Sequence, residues 1–322
     1  MRVAVLCGGR SPEHDVSLRS GEAVARGLEE AGHEALLVTI ARDGAWSFHG
    51  GPVELMPAAG LLSADAVFPA LHGPFGEDGS VQGVLEWLAV PYVGSDVLAS
   101  AICMDKLTLK RLFAQAGLPQ VEFTTVDAPG WRERCEAMGL PLWVKPSRLG
   151  SSVGISKVEN LGEELDAAAD LARRHDPRVI VEAHAPGREI ECSVLGNERP
   201  KASLPGEVIA HGDWYDYETK YSAGGMELVV PAPIPGELVT SLQELAIDAF
   251  ELGGCSGLAR CDFFLEADGR LLVNEINTMP GFTETSVYAK LWEASGLSYP
   301  DLCDRLIELA MERHSAARSH EF

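Results

Sequence analysis

Asp262, Glu275 and Asn277 fall in the stretch GLARCDFFLEADGRLLVNEINTMPG, where two carboxylates and an amide carbonyl offer the hard oxygen ligands that Mg²⁺ prefers. Asp268-Gly269 between two β-rich runs predicts a two-residue hairpin turn, since both turn positions need positive φ. That turn sets Arg260 opposite Asn277 and Asp262 opposite Glu275, all four on one face because residues i and i+2 of a strand share a face. Cys261, Phe263, Leu265, Leu272 and Ile276 take the other face. Like charges directly opposed in a hairpin, with Cβ atoms about 4.5–5.5 Å apart, destabilise the sheet. Asp262 opposite Glu275 therefore needs a cation: Arg260 supplies part of the charge, and a metal completed by substrate phosphates supplies the rest. The competing reading is a solvated polar hairpin face. The NTMPG turn that follows favours a ligand site, because Gly281 lets backbone amides approach a bound group.

A phosphate cradle is the natural companion of such a site. No lysine in the chain follows a glycine, which excludes a P-loop, and Gly8-Gly9-Arg10 does not extend to a dinucleotide fingerprint. The candidate is VKPSRLGSSVGISK, where a strand carries Lys145 into a Gly/Ser loop and a second strand leaves with Lys157. Its small residues let N–H groups and the Ser151 and Ser152 hydroxyls close around phosphoryl oxygens while Lys145 supplies charge. A plain glycine-bounded turn is the alternative. GGRSPEHD places Glu13 and His14 just before a helix whose N-terminus attracts anions, and LHGPFGEDGS puts His72 in a similar loop, where a hydrogen-bonded loop histidine is the plainer reading. HGDWYDYETKYSAGG gathers Tyr215, Tyr217, Lys220 and Tyr221 in a segment too polar for a core and too aromatic for a linker, which suggests a lid.

The elements that must position these residues begin with RVAVLC, a strand followed by a polar loop and a helix from about Val16 to Glu30. EALLVTI, ADAVFPALHG and PYVG continue the alternation of strands and helices, predicting a parallel sheet with ligand-facing loops at the strand C-terminal ends. A single helix reads from Ser95 through Met104, Lys106 and Lys110 to Ala116, where Gly117 and Pro119 stop it. An α+β unit follows, and then strands, a polar loop, a helix from about Glu237 to Leu252, the hairpin and terminal helices.

With 26 Lys+Arg against 48 Asp+Glu in 322 residues, the net charge of −22 argues against nucleic acid and anionic membranes as partners. No run approaches the roughly 18 apolar residues of a membrane span. Seven cysteines without a C-x-x-C pair speak against zinc and disulfide frameworks, and the expected location is the cytoplasm.

Taken in order, GGRSPEHDVSL, LHGPFGEDGSVQG, MDK, VKPSRLGSSVG, YDYETKY, ARCDFF and NEINTMPGFTETS closely resemble the D-alanine–D-alanine ligases of the ATP-grasp superfamily, from residue 3 to about 310. The resemblance implies an α/β and α+β ATP-grasp fold with a Rossmann-like, parallel-sheet N-terminal domain. Its units would be an N-terminal substrate-side domain at 1–100, a central subdomain at 101–183 and a C-terminal subdomain at 184–322. ATP would lie between the second and third. The activity implied is phosphorylation of one D-alanine carboxylate, attack by the amine of a second through a tetrahedral intermediate, and release of ADP and phosphate, for bacterial peptidoglycan synthesis.

The same resemblance assigns roles. Asp262, Glu275 and Asn277 match magnesium ligands, holding two ions for which Mn²⁺ can substitute. Lys106, Lys145, Glu182 and Glu189 match nucleotide contacts, with Lys145 and Lys220 at phosphates, Glu182 near adenine and Glu189 at ribose. Arg260 and the Gly281 amide match an oxyanion-stabilising pair. Glu13 matches the anchor of the first substrate's ammonium with His72 nearby, and Ser286 matches a contact to the second substrate's carboxylate. Ser151 and Tyr221 match partners of Glu13 in a triad that closes the site. Departures are Leu149 and the segment Glu182-Ala183-His184, while Tyr221 favours amide formation. The rivals are a ligase joining D-alanine to D-serine or D-lactate and a non-catalytic nucleotide-binding regulator. Relatives imply a homodimer.

Overall fold

The structure, a computed structural model, describes residues 1–57, 60–210 and 226–319. Its first sheet runs β4-β3-β2-β1-β5, with β1 at Arg2–Gly8, β2 at Glu34–Ile40, β3 at Trp46–Phe48, β4 at Gly51–Pro52 and β5 at Ala66–Pro69. β1 pairs in parallel with β2 and β5, as the alternation predicts, but β3 and β4 add antiparallel strands, so the sheet is mixed. PYVG forms no strand and contributes a single bridge, Val67 to Tyr92. Both faces of β1 are covered: Val3 and Val5 belong to one core cluster, Ala4 and Leu6 to another. Burial on two sides explains the unbroken apolar run of this strand. The first cluster also takes in Leu302, Leu306 and Leu309 from the C-terminal helix α9 (Tyr299–Ala317), so the end of the chain completes the core of its beginning.

Helix α1 spans His14–Glu30 and α2 spans Ser80–Leu88. The helix expected from Ser95 to Ala116 is two, α3 at Val97–Met104 and α4 at Lys106–Ala116. Asp105 breaks it. Its backbone is extended, and its carboxylate accepts from the Thr108 N–H (3.0 Å) and the Ser147 hydroxyl (2.8 Å) and pairs with Arg178. A side-chain cap here competes successfully with helix continuation.

The central unit is a four-stranded antiparallel sheet in the order β6-β9-β7-β8: β6 Phe123–Thr125, β7 Leu142–Pro146, β8 Ser156–Val158, β9 Val179–Ala183. Helices α5 (Trp131–Met138) and α6 (Glu163–Arg173) cover one face through Trp131, Cys135, Leu165 and Ala169. A third sheet is formed by β10 (Gly187–Gly196), β11 (Lys201–Ala202), β12 (Gly206–Ala210), β13 (Met226–Val229), β14 (Gly257–Glu266) and β15 (Leu271–Asn277), backed by α7 (Gly236–Leu252). α8 (Val287–Ala294) precedes α9. All seven cysteines are free and buried.

Candidate active site

The β14–β15 hairpin carries the charged face inward with one correction to its expected register. Arg260 pairs with Asn277 and Asp262 with Glu275, as the turn predicts. Closer to the tip, however, Phe263 pairs with Val273 and Leu265 with Leu271, and the register shifts between Asp262 and Phe263. The turn holds three residues between Glu266 and Arg270, whose backbones hydrogen-bond (3.0 Å), with Gly269 at φ +88°. A β-bulge then restores the pairing where the charges lie. Its consequence is that Leu271 and Val273 share the core with Cys261 and Phe263, whereas Leu272, expected there, packs on the other side near Val121 and Ala185.

On the cleft face Arg260 grips Asp262 with two hydrogen bonds (Nε–Oδ1 2.7 Å, Nη2–Oδ2 2.8 Å) and meets Glu191 Oε2 at 2.8 Å. Burial alone would lower the guanidinium's hold on its proton, but Asp262 and Glu191 outweigh it and push it well above its ordinary range. Asn277 Nδ2 donates to Asp262 Oδ2 (3.0 Å). Glu275 pairs with Lys106 Nζ at 3.1 Å.

Lys106 owes its position to the helix break: as the first residue of α4 it reaches both Glu275 and the Leu149 carbonyl (2.9 Å), tying the hairpin to the Gly/Ser loop. In that loop Ser151 and Ser152 have φ of +52° and +58°, a left-handed conformation that costs non-glycine residues about 1–3 kcal/mol each and clusters at ligand-binding sites. Lys145, on β7, donates to Glu182 Oε2 on the neighbouring β9 (2.6 Å). Glu182 is 2% exposed, and its other oxygen lies 3.4 Å from Lys110 Nζ. Burial pushes the Glu182 carboxyl up, but Lys110 and Lys145 overcome it and hold the group at about 2.

From the opposite side, Glu13 stands just before α1, its side chain making no capping bond to the helix, and accepts a 2.6 Å hydrogen bond from Ser151 Oγ, joining the first unit to the central one. Gly73 permits this approach: at φ +71°, a Cβ there would sit 2.5 Å from Glu13 Oε2. His72, 3% exposed, holds Nδ1 at 3.0 Å from the Met279 carbonyl and Nε2 at 2.8 Å from Ser20 Oγ. A carbonyl only accepts, so Nδ1 carries the proton and Nε2 receives the Ser20 hydroxyl. Burial lowers its basicity and keeps the ring neutral.

Glu77 is a cleft residue that sequence reasoning missed, although it stands in the same loop as His72. It accepts from the Gly73 N–H (2.7 Å), and desolvation followed by the nearby Glu13 charge pushes its carboxyl up to about 8. The folded state therefore keeps a proton that the unfolded chain releases above about 4.5. Native protein binds more protons than unfolded across that window, so stability falls as pH rises through it. Thermal melts of wild type and Glu77→Gln should diverge between pH 5 and pH 8, the wild type losing ground and the difference levelling above pH 8. A constant difference would contradict the assigned ionisation. Glu191 was also missed. It follows Glu189 by two on β10 and pairs with Asp262, a placement that the alternation of acids in GREIEC hints at.

These groups converge on one cleft of about 830 Å³ lined by the second and third sheets and by the α1 and His72 loops of the first unit, including Glu13, His72, Glu77, Lys106, Lys145 and Arg260. Ser152, Glu189, Gly281 and Ser286 line it too. The Gly281 N–H has no hydrogen-bond partner among the described residues. Ser286 stands at the N-terminus of α8 and accepts from the Thr283 N–H (2.9 Å). Lys220 and Tyr221, with the rest of the expected lid at 211–225, lie outside the described residues. Among the described residues no three His, Cys, Asp or Glu form a metal cluster. Asp262, Glu275 and Asn277 nonetheless suit Mg²⁺, which commonly takes one or two carboxylates and leaves the rest of its shell to phosphates and water.

Two antiparallel sheets flanking a cleft with lysines on one wall and a carboxylate hairpin on the other define an ATP-grasp enzyme. Family models described as "D-ala D-ala ligase N-terminus" and "D-ala D-ala ligase C-terminus" match residues 2–59 with 54–95 and residues 112–308. The chain is 47% identical over 318 residues to the D-alanine–D-alanine ligase of Solibacter usitatus, covering 98% of this chain and 96% of that one. It is 47% identical over 335 residues to that of Deinococcus radiodurans, covering 97% and 98%. Among solved structures, the D-alanine–D-alanine ligase from Coxiella burnetii superposes with a TM-score of 0.90 at 38% identity, over 99% of this chain and 96% of that one. The VanG D-Ala:D-Ser ligase of Enterococcus faecalis gives 0.88 at 35% identity, over 96% and 99%. The chain belongs to the D-alanine–D-alanine ligase family.

Proposed function

We propose that the chain joins two D-alanine molecules into D-alanyl-D-alanine through an acylphosphate, using Mg²⁺ and ATP and releasing ADP and phosphate, in the service of peptidoglycan synthesis. The observation that carries this reading is the meeting in one cleft of Glu13 from the first unit, Lys145 from the central sheet, and a hairpin of the third sheet that bears carboxylates and a buried arginine.

Glu13 holds the ammonium of the first D-alanine, with the neutral His72 beside it, and Arg260 with the Gly281 N–H faces its carboxylate. Lys106 and Lys145 neutralise the phosphates, Ser151 and Ser152 contribute loop contacts, the backbone at Glu182 borders the adenine while its carboxylate stays between Lys145 and Lys110, and Glu189 reaches the ribose. Asp262, Glu275 and Asn277 would hold Mg²⁺, which when bound spreads the charge of the triphosphate. Phosphoryl transfer of this kind rests on positioning and charge neutralisation, with no nucleophile required from the protein. Arg260 and the Gly281 amide then stabilise the oxyanion as the second amine attacks. Ser286, at a helix N-terminus, meets the second substrate's carboxylate, where exposed N–H groups favour an anion. The Ser151–Glu13 bond ties loop to anchor and helps keep water from the acylphosphate. Lys220 and Tyr221 complete the phosphate contacts and the closing triad on the strength of the resemblance. The domain division at 1–100, 101–183 and 184–322, a homodimer and a cytoplasmic location belong to the same proposal. No helix among the described residues is long and apolar enough to cross a membrane.

Similarity to a D-Ala:D-Ser ligase keeps a second reading open for the attacking substrate. Phosphate release and product chromatography with ATP, Mg²⁺ and D-alanine, alone or with D-serine or D-lactate, decide between them. D-alanyl-D-alanine as the main product is expected. A mixed product in excess would move the chain to the second reading, equal turnover with L-alanine would remove the stereospecificity, and no turnover would favour a non-catalytic regulator.

A further inference from the structure

Lys110 is 1% exposed, lies one turn beyond Lys106 on the same face of α4, and has no place in the mechanism above. Its ammonium makes no hydrogen bond among the described residues and sits 3.4 Å from Glu182 Oε1. Glu182 is thus flanked by two ammoniums, one on each oxygen: Lys145, whose side chain reaches the cleft, and Lys110, sealed behind. One buried carboxylate needs about one counter-charge, so the second cation is surplus while Lys145 remains on Glu182.

We propose that Lys110 is a positioning residue that keeps Glu182 charge-balanced when Lys145 leaves it for the phosphates of ATP. The proposal rests on the reading of Lys145 as a phosphate contact. Transfer of Lys145 to the nucleotide would otherwise strand a buried carboxylate, a state that is strongly unfavourable. Lys110 removes that obstacle without touching the ligand. The charged groups facing this carboxylate are Lys110 and Lys106 from α4 and Lys145 from β7, and Glu275 from β15 acts on Lys110 in turn. Burial works against the ammonium form of Lys110, and Glu182 is the main influence preserving it.

The test is ATP·Mg²⁺ binding by calorimetry, in buffers of different ionisation enthalpy, together with steady-state kinetics. Lys110→Met should weaken ATP binding at least 10-fold and raise KM for ATP alike. It should leave kcat and KM for D-alanine within about threefold, and it should add an uptake of up to one proton on ATP binding as Glu182 is neutralised. In a Glu182→Gln background, where there is no charge to balance, Lys110→Met should change ATP affinity less than twofold. That double variant has no stranded buried charge, so it decides the matter even if Lys110→Met alone fails to fold. Unchanged ATP affinity in Lys110→Met, or an equal loss in both backgrounds, would overturn the proposal. Lys145→Met separates the two levels of inference. If it binds ATP as wild type does, the reading of Lys145 is at fault; if it binds weakly while Lys110→Met does not, only the role of Lys110 falls.

Discussion

Glu275→Gln is expected to lower kcat for ligation by about 100- to 1,000-fold, the scale seen when one preorganised electrostatic contact to a transition state is removed. The substitution is nearly isosteric, and the Gln carbonyl can still accept from Lys106, which also keeps its bond to the Leu149 carbonyl. Melting temperature should move by only a few degrees, so the loss is one of chemistry and not of folding. Asp262 and Asn277 remain, and raising Mg²⁺ should recover part of the activity. Phosphate release measured against Mg²⁺ concentration checks both halves. Wild-type turnover at ordinary Mg²⁺ would refute the metal role of Glu275.

Arg260 is expected to show the second large effect, with two substitutions separating stability from catalysis. Arg260→Met leaves Asp262 and Glu191 facing each other without their shared cation, and breaking a buried pair in this way costs about 3–5 kcal/mol. Arg260→Lys retains the charge but loses the fork that makes two bonds to Asp262 at once. The lysine variant should melt near wild type yet lose at least about 100-fold in kcat, with kcat/KM for D-alanine falling in step, the pattern of a contact made chiefly in the transition state. A lysine variant with near-normal kcat would remove Arg260 from oxyanion stabilisation.

The hairpin illustrates how much of this site can be read from the chain and where reading fails. The facing pairs Arg260–Asn277 and Asp262–Glu275 are both present, yet two local features behind them were invisible. A three-residue turn by itself would slide the partner strand by one position and set Glu275 opposite Cys261, in the apolar core. The bulge slides it back. Sequence patterns carry the alternation of a strand, but a single extra residue inside it shifts faces without changing composition, so the error surfaced only at Leu272. Asp105 was similarly hidden. A helix-compatible run conceals a break whose cause, Ser147 and Arg178, is remote in the chain. Glu77, Glu191 and Lys110 escaped because each acts through a neighbour that only folding supplies: Glu13, Arg260 and Glu182 in turn. The groups with strong local signatures, Glu13, Lys145, Ser151 and Glu275, were all legible, and the structure brings them into one cleft.

The buried thiols also have a practical side. Burial pushes Cys7 and Cys135 up to about 11 and Cys192 and Cys303 to about 12, so these thiols are protonated at neutral pH, and all seven native cysteines are shielded by burial. Maleimide reagents react with exposed thiolates. The folded chain therefore offers a silent background for site-specific labelling. A pair of introduced cysteines, one at exposed Glu133 on α5 of the central unit and one at exposed Glu312 on α9, which packs in the core of the first unit, would carry a fluorophore pair that reports the distance between those two units on single molecules as nucleotide is added.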